Sequence, residues 1–272
     1  MANDSSSRLR SSRSVAWVLL CVASLVGAFD AARADHPARA APDADTFVYL
    51  PAVMRFGCEP IPGATYDTLA PSNPATGVDM ETHPDVNLAV RGYELTDAHL
   101  GLIDSGPIGD PNAPQLPSLF SDQRTGVFSS VYQVYKWNWG CPCKGPPITS
   151  PPVTMAGLET APGETIHLPD SGYDIGGYDA LVLYVAPTRI TLKYTREDDV
   201  IFGYTIHLEN VCIDPNLLAL YRSSNAAGRH QLPALRGGQA LGRSIGAEIG
   251  VVVRDTGSFM DPRSRNSWWI GR

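Results

Sequence analysis

Residues 178–208 constrain this chain more than any other stretch. Residues 178–186, YDALVLYVA, are an almost unbroken apolar run, the pattern of a strand buried on both faces. A Pro187-Thr188 turn follows. Then Ile190, Leu192 and Tyr194 alternate with polar neighbours, which predicts the second arm of a hairpin. A charged turn, Arg196 to Asp199, leads into residues 200–208. There Val200, Phe202, Tyr204, Ile206 and Leu208 fall on one face, and Ile201, Gly203, Thr205 and His207 on the other. Successive strands joined by such short turns pair antiparallel, because a parallel pair needs a longer crossover.

The rest of the chain extends this β pattern. Residues 128–139, FSSVYQVYKWNW, predict a strand with Val131, Gln133, Tyr135 and Trp137 on one face. The cluster Tyr132, Tyr135, Trp137 and Trp139 is either core or a platform on which sugar rings stack. Shorter strands are predicted at 47–54, broken at Pro51, and at 153–155 and 164–168. Residues 83–90, HPDVNLAV, alternate, with Val86, Leu88 and Val90 on one face. Residues 246–262, GAEIGVVVRDTGSFMDP, read as a buried strand, a turn and an exit segment. One helix stands out at 214–229, with Asp214 as N-cap, Pro215 at the first helical position and Gly228 as terminator. The chain has 25 Gly and 23 Pro, which favours turns over long helices. The expected fold is mainly β, an antiparallel sheet or sandwich with one helix near 214–228.

The N-terminus reads as a secretion signal. Arg8, Arg10 and Arg13 precede an uncharged apolar run at 15–29, and Ala32-Arg33-Ala34 has the form of a cleavage site. The expected organisation is a leader at 1–34, a flexible lead-in at 35–46 and a β-rich domain at 47–272. The leader holds four Arg and two Asp, so the mature chain keeps 17 basic and 26 acidic residues, a formal −9. That balance argues against nucleic acid as partner, and the apolar run is too short for a stable membrane span. Without the leader, four cysteines remain: Cys58, Cys141, Cys143 and Cys212. Export favours disulfides over a metal site at Cys141-Pro142-Cys143. Cys141 and Cys143, one residue apart, are poor partners for each other, so Cys58 and Cys212 are expected to pair with them.

Four stretches together resemble the lysostaphin-type (M23) metallopeptidases. Residues 83–90 are similar to the family's His-x-Gly-x-Asp motif, with His83 matched and Asn87 in place of the Asp. Tyr204-x-x-His207-Leu208 is similar to its Tyr-x-His-Leu strand, one residue longer. Residues 235–242 resemble its Val-x-x-Gly-x-x-Ile-Gly turn, and residues 246–262 its closing strand, where Glu248 and Gly250 replace the His-x-His pair. The resemblance implies a lysostaphin-like fold in which 91–177 is a large insertion or subdomain. It also implies His83 and Asn87 as remnants of the metal site, and a cleft containing His83, His207 and Glu248, with His207 and Glu248 in the catalytic positions. Gly250 offers no third ligand, so ordinary zinc peptidase activity and a bound cofactor are not expected. The implied function is a secreted peptidase-like binding or regulatory module at the cell envelope, with peptidoglycan or a peptide as ligand. The alternative is a metal-dependent cell-wall or peptide hydrolase with an altered zinc site that uses His83, His207 and Glu248, with Asp85 as a further candidate. A purely structural surface protein is a third reading. No Gly-x-Ser-x-Gly elbow, phosphate loop or dinucleotide fingerprint is present.

Overall fold

A computed structural model describes residues 58–105 and 109–272. The leader, the lead-in and the strand expected at 47–54 lie outside the described residues. Along the chain come β1 (Asp67–Leu69), α1 (Leu88–Arg91), β2 (Tyr93–Leu95), a 3₁₀ turn (Leu116–Leu119), β3 (Phe128–Asn138) and β4 (Cys143–Pro147). Then follow β5 (Met155–Glu159), β6 (Thr165–His167), β7 (Ala180–Ala186), β8 (Arg189–Lys193), β9 (Tyr204–Glu209) and β10 (Val211–Ile213). The last third holds α2 (Pro215–Ala226), β11 (Leu232–Leu235), β12 (Ala240–Ser244), β13 (Glu248–Asp255), β14 (Ser258–Met260) and α3 (Arg265–Trp268).

The fold is mainly β, and every ladder between these strands is antiparallel. One large sheet runs β1-β11-β7-β8-β9-β13-β5-β3-β2, with β14 beside β13 and β4 beside β3; a small sheet runs β10-β12-β6. The main core takes side chains from both, among them Leu181 and Leu183 on β7, Ile206 and Leu208 on β9, Val251 and Val253 on β13, and Ile166, Ile213 and Leu241 from the small sheet. Residues 91–177, expected as an insertion or subdomain, do not stand apart: they supply β2 to β5 of the large sheet and β6 of the small one.

The hairpin β7–β8 and its neighbour β9 form as the alternation predicts, with β9 starting only at Tyr204. Gly203 holds a φ of +60°, and the preceding Ile201 and Phe202 stay exposed. The helix also follows the sequence: Asp214 Oδ1 accepts from the Asn216 N–H at 2.8 Å, and Pro215 opens α2. Trp268 and Trp269 pack back into the core, their indole N–H groups donating to the carbonyls of Asp261 and Pro262 at 2.9 Å each.

Three expectations are corrected. Residues 83–90 are a turn running into α1 and not a strand. The N–H groups of Val86 and Asn87 both donate to the His83 carbonyl, and Asn87 Oδ1 accepts from the Ala89 N–H, so local bonds displace the ladder. The disulfides are Cys58–Cys212 and Cys141–Cys143. The turn between β3 and β4 draws Cys141 and Cys143 to a Cα separation of 5.2 Å, well inside bonding range and shorter than an extended chain permits. On the chain-entropy view Cys58–Cys212, 154 residues apart, is worth ~5 kcal/mol and the two-residue bridge only ~1 kcal/mol. Finally, β3 does not alternate strictly: the β3–β5 ladder shifts register between Phe128 and Ser130, so Phe128 and Val131 are both buried, and Val134 is buried on the opposite face against Leu88, Met155 and Val252.

Candidate functional site

The second face of the large sheet is polar and yet buried. Across β8, β9 and β13 its rows are Arg189–Glu209–Gly250, Thr191–His207–Val252 and Lys193–Thr205–Arg254. Segment 81–91 packs against this face: Leu88 joins Val134, Met155 and Val252 in a small apolar cluster, and Thr191 Oγ1 donates to the Val86 carbonyl at 2.5 Å. The positions marked by the peptidase resemblance all lie on or above this face.

His207 is 1 % exposed. The one hydroxyl proton of Thr191 is given to Val86, so at 3.0 Å the Thr191 oxygen accepts from His207 Nδ1–H. That leaves Nε2 an unprotonated acceptor, and it is buried without a partner among the described residues. Burial first, then the charges of Arg254 and Arg91, press the imidazole pKa well below its usual value, against the pull of Asp85. His207 is therefore a neutral, solvent-excluded side chain. Asn87 is also occupied: besides capping α1 it donates from Nδ2 to the Glu81 carbonyl at 2.6 Å. His83 sits in the turn above, its Nδ1 accepting from the Asp85 N–H at 3.3 Å and its ring 5.9 Å from that of Trp139. Burial lowers its pKa, and Asp85 opposes this.

Glu248 lies on the same face, at the opposite end of β13 from Arg254. Its Oε2 accepts from Ser129 and Ser130 at 2.5 Å each, and Oε1 from Tyr132 at 2.8 Å, all on β3. The carboxylate reaches β3 by crossing β5 at Gly157, where any Cβ would collide with Ser130 Oγ and Glu248 itself. His207 faces Val252, four residues beyond Glu248, so the two are ~13 Å apart along the strand direction. Gly250 carries no donor and packs against Met155 and Glu209. Among the described residues no three His, Cys, Asp or Glu side chains come together as a ligand set. With Asn87 committed to a cap and His207 sealed, the residues present do not fit a zinc ion.

A cavity of about 580 Å³ opens instead at the far end of β13. Asp255 closes that strand directly opposite Tyr204 of β9, and both line the cavity with Asp110, Phe259, Met260 and Trp268. Tyr204 stands edge-on to Trp268 and to Tyr173, with ring centroids 5.5 and 6.0 Å away. Asp110 accepts from the Tyr173 hydroxyl at 2.6 Å and from the Asn112 N–H at 2.8 Å, and these bonds, Tyr173 foremost, hold its carboxyl below the usual range. The same bond is the main cause that pushes the Tyr173 hydroxyl up to about 12. Burial, followed by Asp255 and Asp110, raises Tyr204 as well. Asp261 also lines the cavity but is paired with Arg263 at 2.7 Å. Asp110 and Asp255 have no cationic partner among the described residues, and no Lys or Arg lines the cavity.

Sequence reasoning passed over these residues. Asp110 lies in a stretch that reads as featureless loop, and Asp255 as the end of a strand. The one available signal was the buried-strand pattern ending in Arg254-Asp255, two charges of opposite sign that alternation must send to opposite faces. Compared with protein families, characterised proteins and solved structures, the chain matches none.

Proposed function

We propose that this protein is an extracytoplasmic binding module whose acidic cleft takes an amine-bearing peptide, peptidoglycan stem peptides included. The observation that carries the reading is the pair Asp110 and Asp255, two carboxylates without cations on the walls of a cavity of about 580 Å³. An alkylammonium side chain suits such a place. Its stem lies along Phe259 and Met260 while its head meets the carboxylates, as long cationic side chains do on apolar surfaces. The compartment rests on the leader pattern and on two disulfides, which persist in oxidising surroundings. No helix among the described residues is long and apolar enough to cross a membrane.

Calorimetric titration of acetyl-Gly-Lys-Gly-amide against its Nε-acetyl-lysine counterpart tests the reading. Partly exposed ion pairs contribute ~0.2–1 kcal/mol each, so two carboxylates favour the free amine by ~0.4–2 kcal/mol, or about 2–30-fold. The double substitution Asp110→Asn/Asp255→Asn, checked for an unchanged melting profile, abolishes that preference. Equal affinity of the two peptides for the wild-type protein refutes the proposal.

A further inference from the structure

A second cavity, of about 390 Å³, lies at the same end of the sheet and has the opposite charge. Arg91 of α1, Arg254 of β13 and Lys136 of β3 line it. Because side chains alternate along a strand, Arg254 points to the polar face while its neighbour Asp255 points to the acidic cleft. Arg91 and Arg254 are 7 % and 4 % exposed. One carboxylate serves both: Asp85 Oδ1 accepts from Arg91 Nη2 at 2.5 Å and from Arg254 Nη1 at 3.1 Å. Their remaining bonds go to carbonyls, from Arg91 to Pro84 and Tyr135 and from Arg254 to Asp85 and Gly257. A carbonyl supplies a dipole and no charge. The three cations therefore face one anion, a formal excess of two positive charges in a chain of net charge −7. Burial first, and then the repulsion of Arg91, press Arg254 down to about 10 despite Asp85. Buried charge without full compensation is costly unless a counter-ion completes it.

The two cavities share a wall. Ser150 and Phe259 line both, and the guanidinium groups of Arg254 and Arg91 lie 4.7 and 5.3 Å from the centre of the Phe259 ring. We infer that the basic cavity is a carboxylate subsite, and that a zwitterionic peptide binds across the β13–β14 hairpin with its amine in the acidic cleft and its terminal carboxylate beside Lys136, Arg91 and Arg254. The amine half of this inference rests on the function proposed above; the carboxylate half stands on the cation cluster alone.

The test uses acetyl-Gly-Lys-Gly with a free carboxylate, its carboxamide, and the Nε-acetyl-lysine form of each, titrated into the wild-type protein and Lys136→Glu. Lys136 is exposed on β3, so the substitution leaves the core intact. The free carboxylate is expected to bind at least 5-fold more tightly than the carboxamide, and Lys136→Glu to cut that ratio by half or more while the preference for free lysine persists. Equal affinity of carboxylate and carboxamide, or a ratio unchanged in Lys136→Glu, overturns the subsite and leaves the acidic cleft standing. A carboxylate preference with no preference for free lysine upholds the subsite and overturns both the bridge and the amine cleft.

Discussion

The buried pair Arg229–Asp198 ties the end of α2 to the turn between β8 and β9, and its removal makes a quantitative prediction. Both side chains are 1 % exposed. Arg229 donates from Nη2 and Nε to the two Asp198 oxygens at 2.5 and 2.7 Å, and also to the Leu183 carbonyl at 2.9 Å and to Asn225 at 2.8 Å. Asp198 in turn accepts from the Ala75 N–H at 2.9 Å. Methionine is the informative replacement. Arg229 holds a φ of +64°, which a glycine would relieve, whereas Met keeps the backbone cost and fills part of the volume. Two charge-assisted bonds at ~1.5–3 kcal/mol each suggest a loss of ~3–6 kcal/mol. Breaking a buried pair from one side costs about 3–5 kcal/mol, because the other charge is stranded. Arg229→Met is thus expected to lower stability by ~3–5 kcal/mol and the melting temperature by roughly 6–20 °C for a domain of this size. Arg229→Met/Asp198→Leu removes the stranded charge and should lose less than the two single losses combined, by ~2 kcal/mol or more. Urea unfolding followed by tryptophan fluorescence, with disulfides intact, reads all four proteins. A single-variant loss below ~1 kcal/mol, or strictly additive losses, refutes the reasoning.

The sealed imidazole of His207 predicts an acid-sensitive fold. With its folded pKa below the unfolded value, the unfolded chain binds the extra proton first, so stability is present above pH ~6.5 and lost as pH falls, by up to ~1.4 kcal/mol per pH unit. Urea midpoints between pH 7 and 5 should fall more gently in His207→Gln than in wild type, and parallel curves would sink the assignment. At the crossing below Glu248, Gly157→Ala should displace the carboxylate from Ser130 and cost ~1–3 kcal/mol. Adding Glu248→Ala should recover part of this loss, since it removes one of the two colliding groups; a neutral Gly157→Ala in urea unfolding contradicts the close approach.

The local pattern of the chain determined most of the scaffold. The apolar run of β7, the alternation of β8 and the Asp214-Pro215 start of α2 are each set by residues within a few positions of one another, and each formed as the pattern predicts. Local competition already blurred the picture at residues 83–90, where the turn at His83 and the Asn87 cap outweighed a strand-like alternation. The disulfides needed a turn geometry that spacing alone does not specify. The polar groups depended on tertiary structure altogether. Glu248 finds its partners on β3 only because β5 lies between them with a glycine at the crossing. Asp110 and Asp255, distant in sequence, reach one cavity because the register of β13 against β9 sets Asp255 opposite Tyr204. Arg91 and Arg254 share Asp85 because segment 81–91 folds over the polar face of the sheet. Side-chain alternation says which face a residue takes; only strand register and the segment packed on that face decide which charge it meets.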